Sequence, residues 1–324
     1  ARRHQAREGK SLMIMLLTGM LATAVLAGGV LALAALGEVL AERVGVTNLG
    51  VEGLMALGAV TAVMTVSTVH SPWVGLLVAI MVGAVGGMVF AFGAVVMRAN
   101  QVLCGLATTF MGLGLSTAIG HSYAGQPVAT TFGHAPIPLL SAIPVIGPAF
   151  FGQNILIVPI YMLLPLAVHV IMFRTRHGLN MRAVGENPAA ADAAGIPVMA
   201  MRLGYVVLGG ALAGMAGGYL TLTYVPVWSE GMVAGRGWIA LALVIFAGYR
   251  PVIVTLSALL FGLVTALSFV GQAHNWPIDP AFLNMLPYLG TMAFIIVPVV
   301  VWHRMRRIMA APASLGQPYY GDVR

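Results

Sequence analysis

The sequence predicts an all-α, polytopic integral membrane protein with about 9–10 transmembrane helices and two interrupted or re-entrant segments. Three observations predict it. The first is composition: 60% of the 324 residues are hydrophobic, 8% are charged, and the mean hydropathy is +0.95. Soluble domains carry about 25% charged residues, so this surface faces lipid. The second is a series of apolar runs close to the roughly 20 residues that one crossing needs. The third is the placement of arginine and lysine at the ends of those runs. That pattern orients membrane segments, and it removes nucleic acid as the reason for the net charge of +7.

In chain order the runs are Leu12–Leu36, Leu54–Val69, Trp73–Met97, Val102–Ile119, Ile155–Phe173, Leu203–Leu222, Pro251–Val270 and Pro287–Trp302. Trp238–Ala247 is shorter and predicts a half-crossing. Each run must be helical, because an isolated strand leaves its backbone unsatisfied in lipid. Leu12–Leu36 is too long for a signal peptide core and is read as retained. Cys104 is the only cysteine, so no internal disulfide can form, and it reads as a small packing residue. Small residues crowd several runs, above all Gly209–Gly218 (GGALAGMAGG), a signal for close helix packing.

The basic clusters place three segments in the cytoplasm: Arg2, Arg3, Arg7 and Lys10; Arg174, Arg176, Arg182 and Arg202; and Arg304, Arg306 and Arg307. The expected organisation is a cytoplasmic segment 1–11, a permeating domain 12–307 with a polar loop 174–202, and a cytoplasmic tail 308–324. His70–Trp73, His121–Asn154 and Gly271–Leu286 then fall outside. A cytoplasmic N-terminus requires Gly37–Gly53 to return across the membrane as a broken segment. That gives about ten crossings with both ends inside.

Two polar segments interrupt the apolar pattern. GEVLAERVGVTNLGVEG (Gly37–Gly53) carries Glu38, Glu42, Arg43, Asn48 and Glu52. It is either an exposed loop or irregular backbone at membrane depth, where ionisable groups mark a pathway. TYVPVWSEGMVAGRGW (Thr223–Trp238) carries Trp228, Glu230, Gly235 and Arg236. Paired interruptions point to the substrate route of a transporter, and the alternative for Trp228 and Trp238 is an interface belt. The candidate pathway residues are Glu38, Asn48, Glu52, Trp228, Gly235 and Arg236. The two segments are expected to approach each other near the middle of the pathway.

The loop 174–202 contains a short capped helix. Asn187 suits the N-cap, Pro188 the first helical position and Gly195 the left-handed residue past the end, which predicts a helix over Pro188–Ala194. So short a helix is marginal in water, and a partner with a groove for small side chains would hold it. No Walker A motif is present, because the only lysine lies in EGKS with His4 where the first glycine should be. No C-x-x-C, H-E-x-x-H or nucleophile–base pairing supports an enzyme, and no metal site is expected.

GENPAAADAAGI resembles the coupling-helix segment of ABC importer permeases. GEVLAERVGVTNLGVEG and GMVAGRGWIALALVIFAGYRP (Gly231–Pro251) are similar to segments of the permeases that import nucleosides and simple sugars, a branch of the ribose and branched-chain amino acid permease superfamily. The resemblance runs from about Ala22 to Arg307. It implies a non-enzymatic transport subunit of the bacterial plasma membrane that binds no cofactor of its own. ATP and Mg would belong to a partner ATPase. A second permease chain, related or identical, and an extracytoplasmic binding protein are the other implied partners. Gly185, Glu186, Asn187, Pro188, Ala191 and Gly195 match the ATPase-coupling segment. Rival readings are a branched-chain amino acid or monosaccharide permease, a stand-alone channel or secondary transporter, and a membrane-anchored structural subunit.

Overall fold

A computed structural model describes residues 2–301 and 310–321, with side chains described from Met13 onward except at a few positions of the last helix. The cluster Arg304, Arg306 and Arg307 lies outside the described residues. The helices are α1 (Arg2–Arg43), α2 (Val51–Val69), α3 (Pro72–Ala91), α4 (Gln101–Gly120), α5 (Leu164–Arg174), α6 (Arg176–Glu186), α7 (Pro188–Ala193), α8 (Val198–Tyr219), α9 (Arg236–Phe246), α10 (Pro251–Ala273) and α11 (Pro280–Val301). Single π-helical turns extend α3 to Val96 and α8 to Tyr224, and another, Pro159–Leu163, leads into α5. Among the described residues there is no strand, only isolated bridges.

The chain is an all-α polytopic membrane protein. Among the described residues six helices are long and apolar enough to cross a membrane, and α11 adds 22 residues. Pro159–Arg174 and Arg236–Phe246 are shorter apolar helices. The expected crossing Ile155–Phe173 therefore starts later, where the helix begins at Pro159.

Helix α8 is the centre of the packing, and its glycines explain why. Gly209 faces Gly37 of α1, Gly210 and Gly214 face Gly83 and Gly87 of α3, and Gly217 faces Met55 and Ala59 of α2. A Cβ built on Gly83 would come 2.7 Å from the Cα of Gly214. Lipid tails are as apolar as leucine, so helices associate in membranes through such close backbone approach. The same contacts give direction: Gly37 meets Gly209 and Gly29 meets Tyr219, so α1 and α8 run antiparallel.

Two expectations fail at α1. Gly37–Arg43 is regular helix, not a broken return across the membrane, and residues 2–11 continue α1 instead of forming a separate segment. Glu38 and Glu42 are one turn apart and leave the helical ladder intact, so acidic side chains alone do not break it. Termination waits for Gly45, in the left-handed conformation at φ +86°. At 1.5 Å per residue, the 31 residues Met13–Arg43 span about 46 Å. The N-terminal end of α1 therefore lies on the face opposite Arg43, and the arrangement with both ends on one side does not hold.

The irregular stretch is only residues 44–50. It lies within the protein, and its polar backbone groups are largely satisfied. Val44, Gly45 and Val46 N–H groups donate to the last carbonyls of α1. Thr47 N donates to Gln101 Oε1 (2.9 Å), Gly50 N donates to Asn48 Oδ1 (2.9 Å), and the Leu49 carbonyl accepts from Thr109 Oγ1 (2.8 Å). Irregular backbone at membrane depth is tolerated only under such enclosure.

Candidate translocation site and docking segment

The two interrupted segments meet through Glu52. Residue 52 lies in the first turn of α2, directly after the irregular stretch. Its Oε1 accepts from Gly235 N and its Oε2 from Gly237 N, both at 2.7 Å. These amides belong to the start of α9, whose first N–H groups have no partner within the helix. The carboxylate also sits at the positive end of the helix dipole. The turn into α9 needs glycine twice. Gly235 has φ +79°, and a Cβ at Gly237 would stand 2.7 Å from the Cα of Glu52.

Helix α9 is a half-crossing. Its 11 residues rise about 16 Å, roughly half of a 30 Å hydrocarbon core. At its far end the Gly248 and Tyr249 carbonyls accept from Arg43 Nη2 and Nε, each at 3.2 Å. Glu52 therefore lies well inside the molecule, between Arg43 and the opposite face.

Arg236, the first residue of α9, donates from Nη1 to the carbonyls of Met232 (2.7 Å) and Val233 (3.0 Å). It lines a cavity of about 230 Å³ between α1, α9, α10 and α11. Asn48 is fully buried and bends the chain onto Gly50. Glu38 and Glu42 are buried on α1, and both oxygens of Glu38 and Oε2 of Glu42 make no hydrogen bond among the described residues. Trp228 is 2% exposed, with its ring against Gly120 and packed on Ala59, Val60 and Val63. Its backbone pairs with the 124–128 segment, through Gly125 N to Trp228 O and Val128 N to Pro226 O, both 3.0 Å. Trp228 is thus enclosed, and it pins the 124–128 segment onto α2. The ring needs a flat, apolar surface, which Gly120 supplies.

The segment expected to dock a partner forms one turn–helix–turn. Thr175 Oγ1 caps α6 by accepting from Gly178 N (3.0 Å). Asn187 ends α6 and caps α7, accepting from Ala190 N (3.0 Å), with Pro188 at the first position of α7. Gly195 at φ +81° and the Ile196 N to Ala191 O bond (3.0 Å) close it. Helix α7 ends at Ala193, one residue short of the expected Ala194.

The structure shows which alanines of α7 face outward. Ala191 is 3% exposed and turned into the protein, whereas Ala189, Ala190, Asp192, Ala193 and Ala194 face outward with Glu186 and Asn187. Gly185 is also buried, because it passes close to the Arg43 carbonyl and Pro312. Alanine looks alike on every side of a two-turn helix, so sequence could not assign the outward face.

Sequence reasoning missed the staple beneath this segment. Arg202, counted as an orienting surface charge, is buried. It donates to Val44 O (3.0 Å), Gln317 O (3.1 Å) and Ser314 Oγ (3.1 Å). Ser314 in turn donates to Gly185 O from both N (3.0 Å) and Oγ (2.7 Å), and Tyr319 OH donates to Asp192 Oδ2 (2.9 Å). The tail thus ties the end of α1, the docking segment and α8 together. Nothing in the composition of the tail singled out Ser314 and Tyr319 for this.

This fold and site define a membrane permease: a helical bundle with a half-helix at its centre and a capped helix displayed on one face. The chain belongs to the family of branched-chain amino acid transport system permease components, which matches residues 14–301. A Haloferax volcanii protein named "Putative glucose ABC transporter permease protein" is 36% identical over 90% of this chain and 94% of its own length. A nucleoside ABC transporter permease of Lactococcus lactis is 35% identical, and a guanosine ABC transporter permease of Bacillus subtilis 34%; each comparison covers 80% of this chain and 85% of the relative. No solved structure matches.

Proposed function

We propose that this chain is the permease subunit of an ABC importer and forms the route for a nucleoside or related ribose-containing compound. The observation that carries the transport mechanism is the displayed α7, on the face where α1 ends and α8 begins. An ATPase gripping α7 pulls on Gly185 and the tail. These contact the Arg43 end of α1, and Arg43 holds the far end of α9. Movement at the docking face therefore reaches the Glu52 junction through packed and hydrogen-bonded groups. The names of two relatives support the nucleoside substrate. The glucose assignment of a third favours a monosaccharide as the second reading.

In this reading Glu38, Asn48, Glu52, Gly235 and Arg236 border or shape the route. Glu186, Asn187, Pro188 and the outward alanines meet the ATPase, with Gly185, Ala191 and Gly195 shaping the segment. ATP and Mg are bound by the ATPase, and this chain takes no cofactor. A second permease chain and an extracytoplasmic binding protein complete the complex in a bacterial plasma membrane. The docking face, with the C-terminal tail, is cytoplasmic.

The test replaces an outward alanine. Ala190→Trp should abolish co-purification of the ATPase and ATP-driven uptake while the membrane helices still assemble. Ala191→Trp should instead disturb the permease itself, because that side chain is enclosed. Asn187→Ala should cost about 1 kcal/mol of local helix stability and give a milder defect. An Ala190→Trp protein that binds ATPase and imports like the parent would refute the docking role.

A further inference from the structure

The cavity between α1, α9, α10 and α11 has a chemistry unlike the other large cavities of the protein. Those of about 500 and 330 Å³ are lined almost wholly by apolar side chains. The 230 Å³ cavity is lined by Tyr224, Arg236, Phe261, Thr265, Ser268 and Tyr288, among others. An arginine at membrane depth is costly, and where one persists it faces a protein interior or an aqueous route.

The hydrogen bonds assign roles to these groups. Arg236 uses Nη1 on two carbonyls, and its Nε and Nη2 make no hydrogen bond among the described residues. It therefore offers donors to the cavity. Thr265 Oγ1 donates its proton to Phe261 O (3.1 Å), and Ser268 Oγ donates to Thr265 O (2.8 Å). A hydroxyl has one proton and two lone pairs, so both oxygens face the cavity as acceptors. Tyr288 OH donates to Ala234 O (3.1 Å), which anchors its ring beside the start of α9. Tyr224 and Phe261 add aromatic surface.

A donor on α9, acceptors on α10 and aromatic side chains in the same lining complement a neutral ligand with a flat heteroaromatic ring and free hydroxyls. The volume falls just below the roughly 300–1,000 Å³ of pockets for drug-sized molecules, which suits one base and one sugar. We propose that this cavity is a transit site for a nucleoside: Arg236 donates to acceptors on the base, Tyr224 packs on the ring, and Thr265 and Ser268 accept from ribose hydroxyls. The proposal rests on the nucleoside reading above. It extends that reading to Thr265 and Ser268 of α10, which lie outside both polar segments. The site adjoins Glu52 through Arg236, the next residue after Gly235, so occupancy and the position of α9 are coupled by one turn of chain.

The experiment uses the complete transporter with its ATPase, companion permease and binding protein in proteoliposomes. Uptake is followed with radiolabelled uridine and, separately, glucose. Ser268→Ala should raise the KM for uridine about 2- to 10-fold, the loss of one hydrogen bond between neutral groups, and Ser268→Thr should restore it. In a Cys104→Ser background, Thr265→Cys should react with a small methanethiosulfonate reagent, and uridine should slow that reaction several-fold. If the parent imports glucose and not uridine, the nucleoside reading falls and the site falls with it. If the parent imports uridine, but Ser268→Ala keeps its KM and uridine gives Thr265→Cys no protection, the reading stands and this site is refuted. Should Ser268→Ala fail to assemble, the labelling result decides alone.

Discussion

Replacing Glu52 separates a structural clamp from an incidental contact. In the parent, two oxygens accept two backbone N–H groups at 2.7 Å each, from Gly235 and Gly237. Hydrogen bonds to a charged group contribute about 1.5–3 kcal/mol each, and a buried N–H left without a partner costs about 1–3 kcal/mol. Glu52→Gln keeps one acceptor and sets an NH₂ group against the other amide. The expected local loss is one such bond, about 1.5–3 kcal/mol. Glu52→Ala removes both acceptors and should cost about twice that. At 1.4 kcal/mol per factor of ten, the glutamine variant should speed amide hydrogen exchange in the 235–239 peptide about 10- to 100-fold. Peptides from the α2–α3–α8 packing should keep their protection, because their contacts are elsewhere. Uptake should fall while the permease still assembles with its partners. Unchanged exchange at 235–239 in Glu52→Gln would show that the carboxylate does not hold α9, and the clamp would be wrong. Accelerated exchange with full uptake would leave the clamp in place and remove its role in transport.

Two further perturbations test the frame around the site. Gly217→Ala sets a methyl group against the Met55 carbonyl and Ala59 N of α2; overpacking of this kind costs about 1–3 kcal/mol, read as a lower thermal midpoint in detergent, and an unchanged midpoint would refute the close approach. Arg202→Met leaves the Val44 and Gln317 carbonyls and Ser314 Oγ without their donor, so limited proteolysis should cut the 310–321 segment at least several-fold faster; equal cutting would show that the tail is held by other contacts.

The membrane class, the helical architecture and the short capped helix α7 were legible in the sequence because each rests on local chemistry. Run length, charge placement and the Asn187-Pro188 and Gly195 caps act within a few residues. The pairing of the two polar segments was legible as an interruption in each half, and it became a contact only through Glu52 and the amides of Gly235 and Gly237. Three things belonged to the tertiary structure alone. The burial of Glu38 and Glu42 depended on the packing around α1, which the polar composition of Gly37–Gly53 does not reveal. The burial of Ala191 and Trp228 depended on which side of each element met a neighbour, and neither an alanine-rich helix nor a tryptophan carries that information in its own spacing. The use of Arg202 as an internal staple depended on carbonyls more than 100 residues away in each direction. A charge at the end of an apolar run looks the same in sequence whether it meets water or another part of the chain.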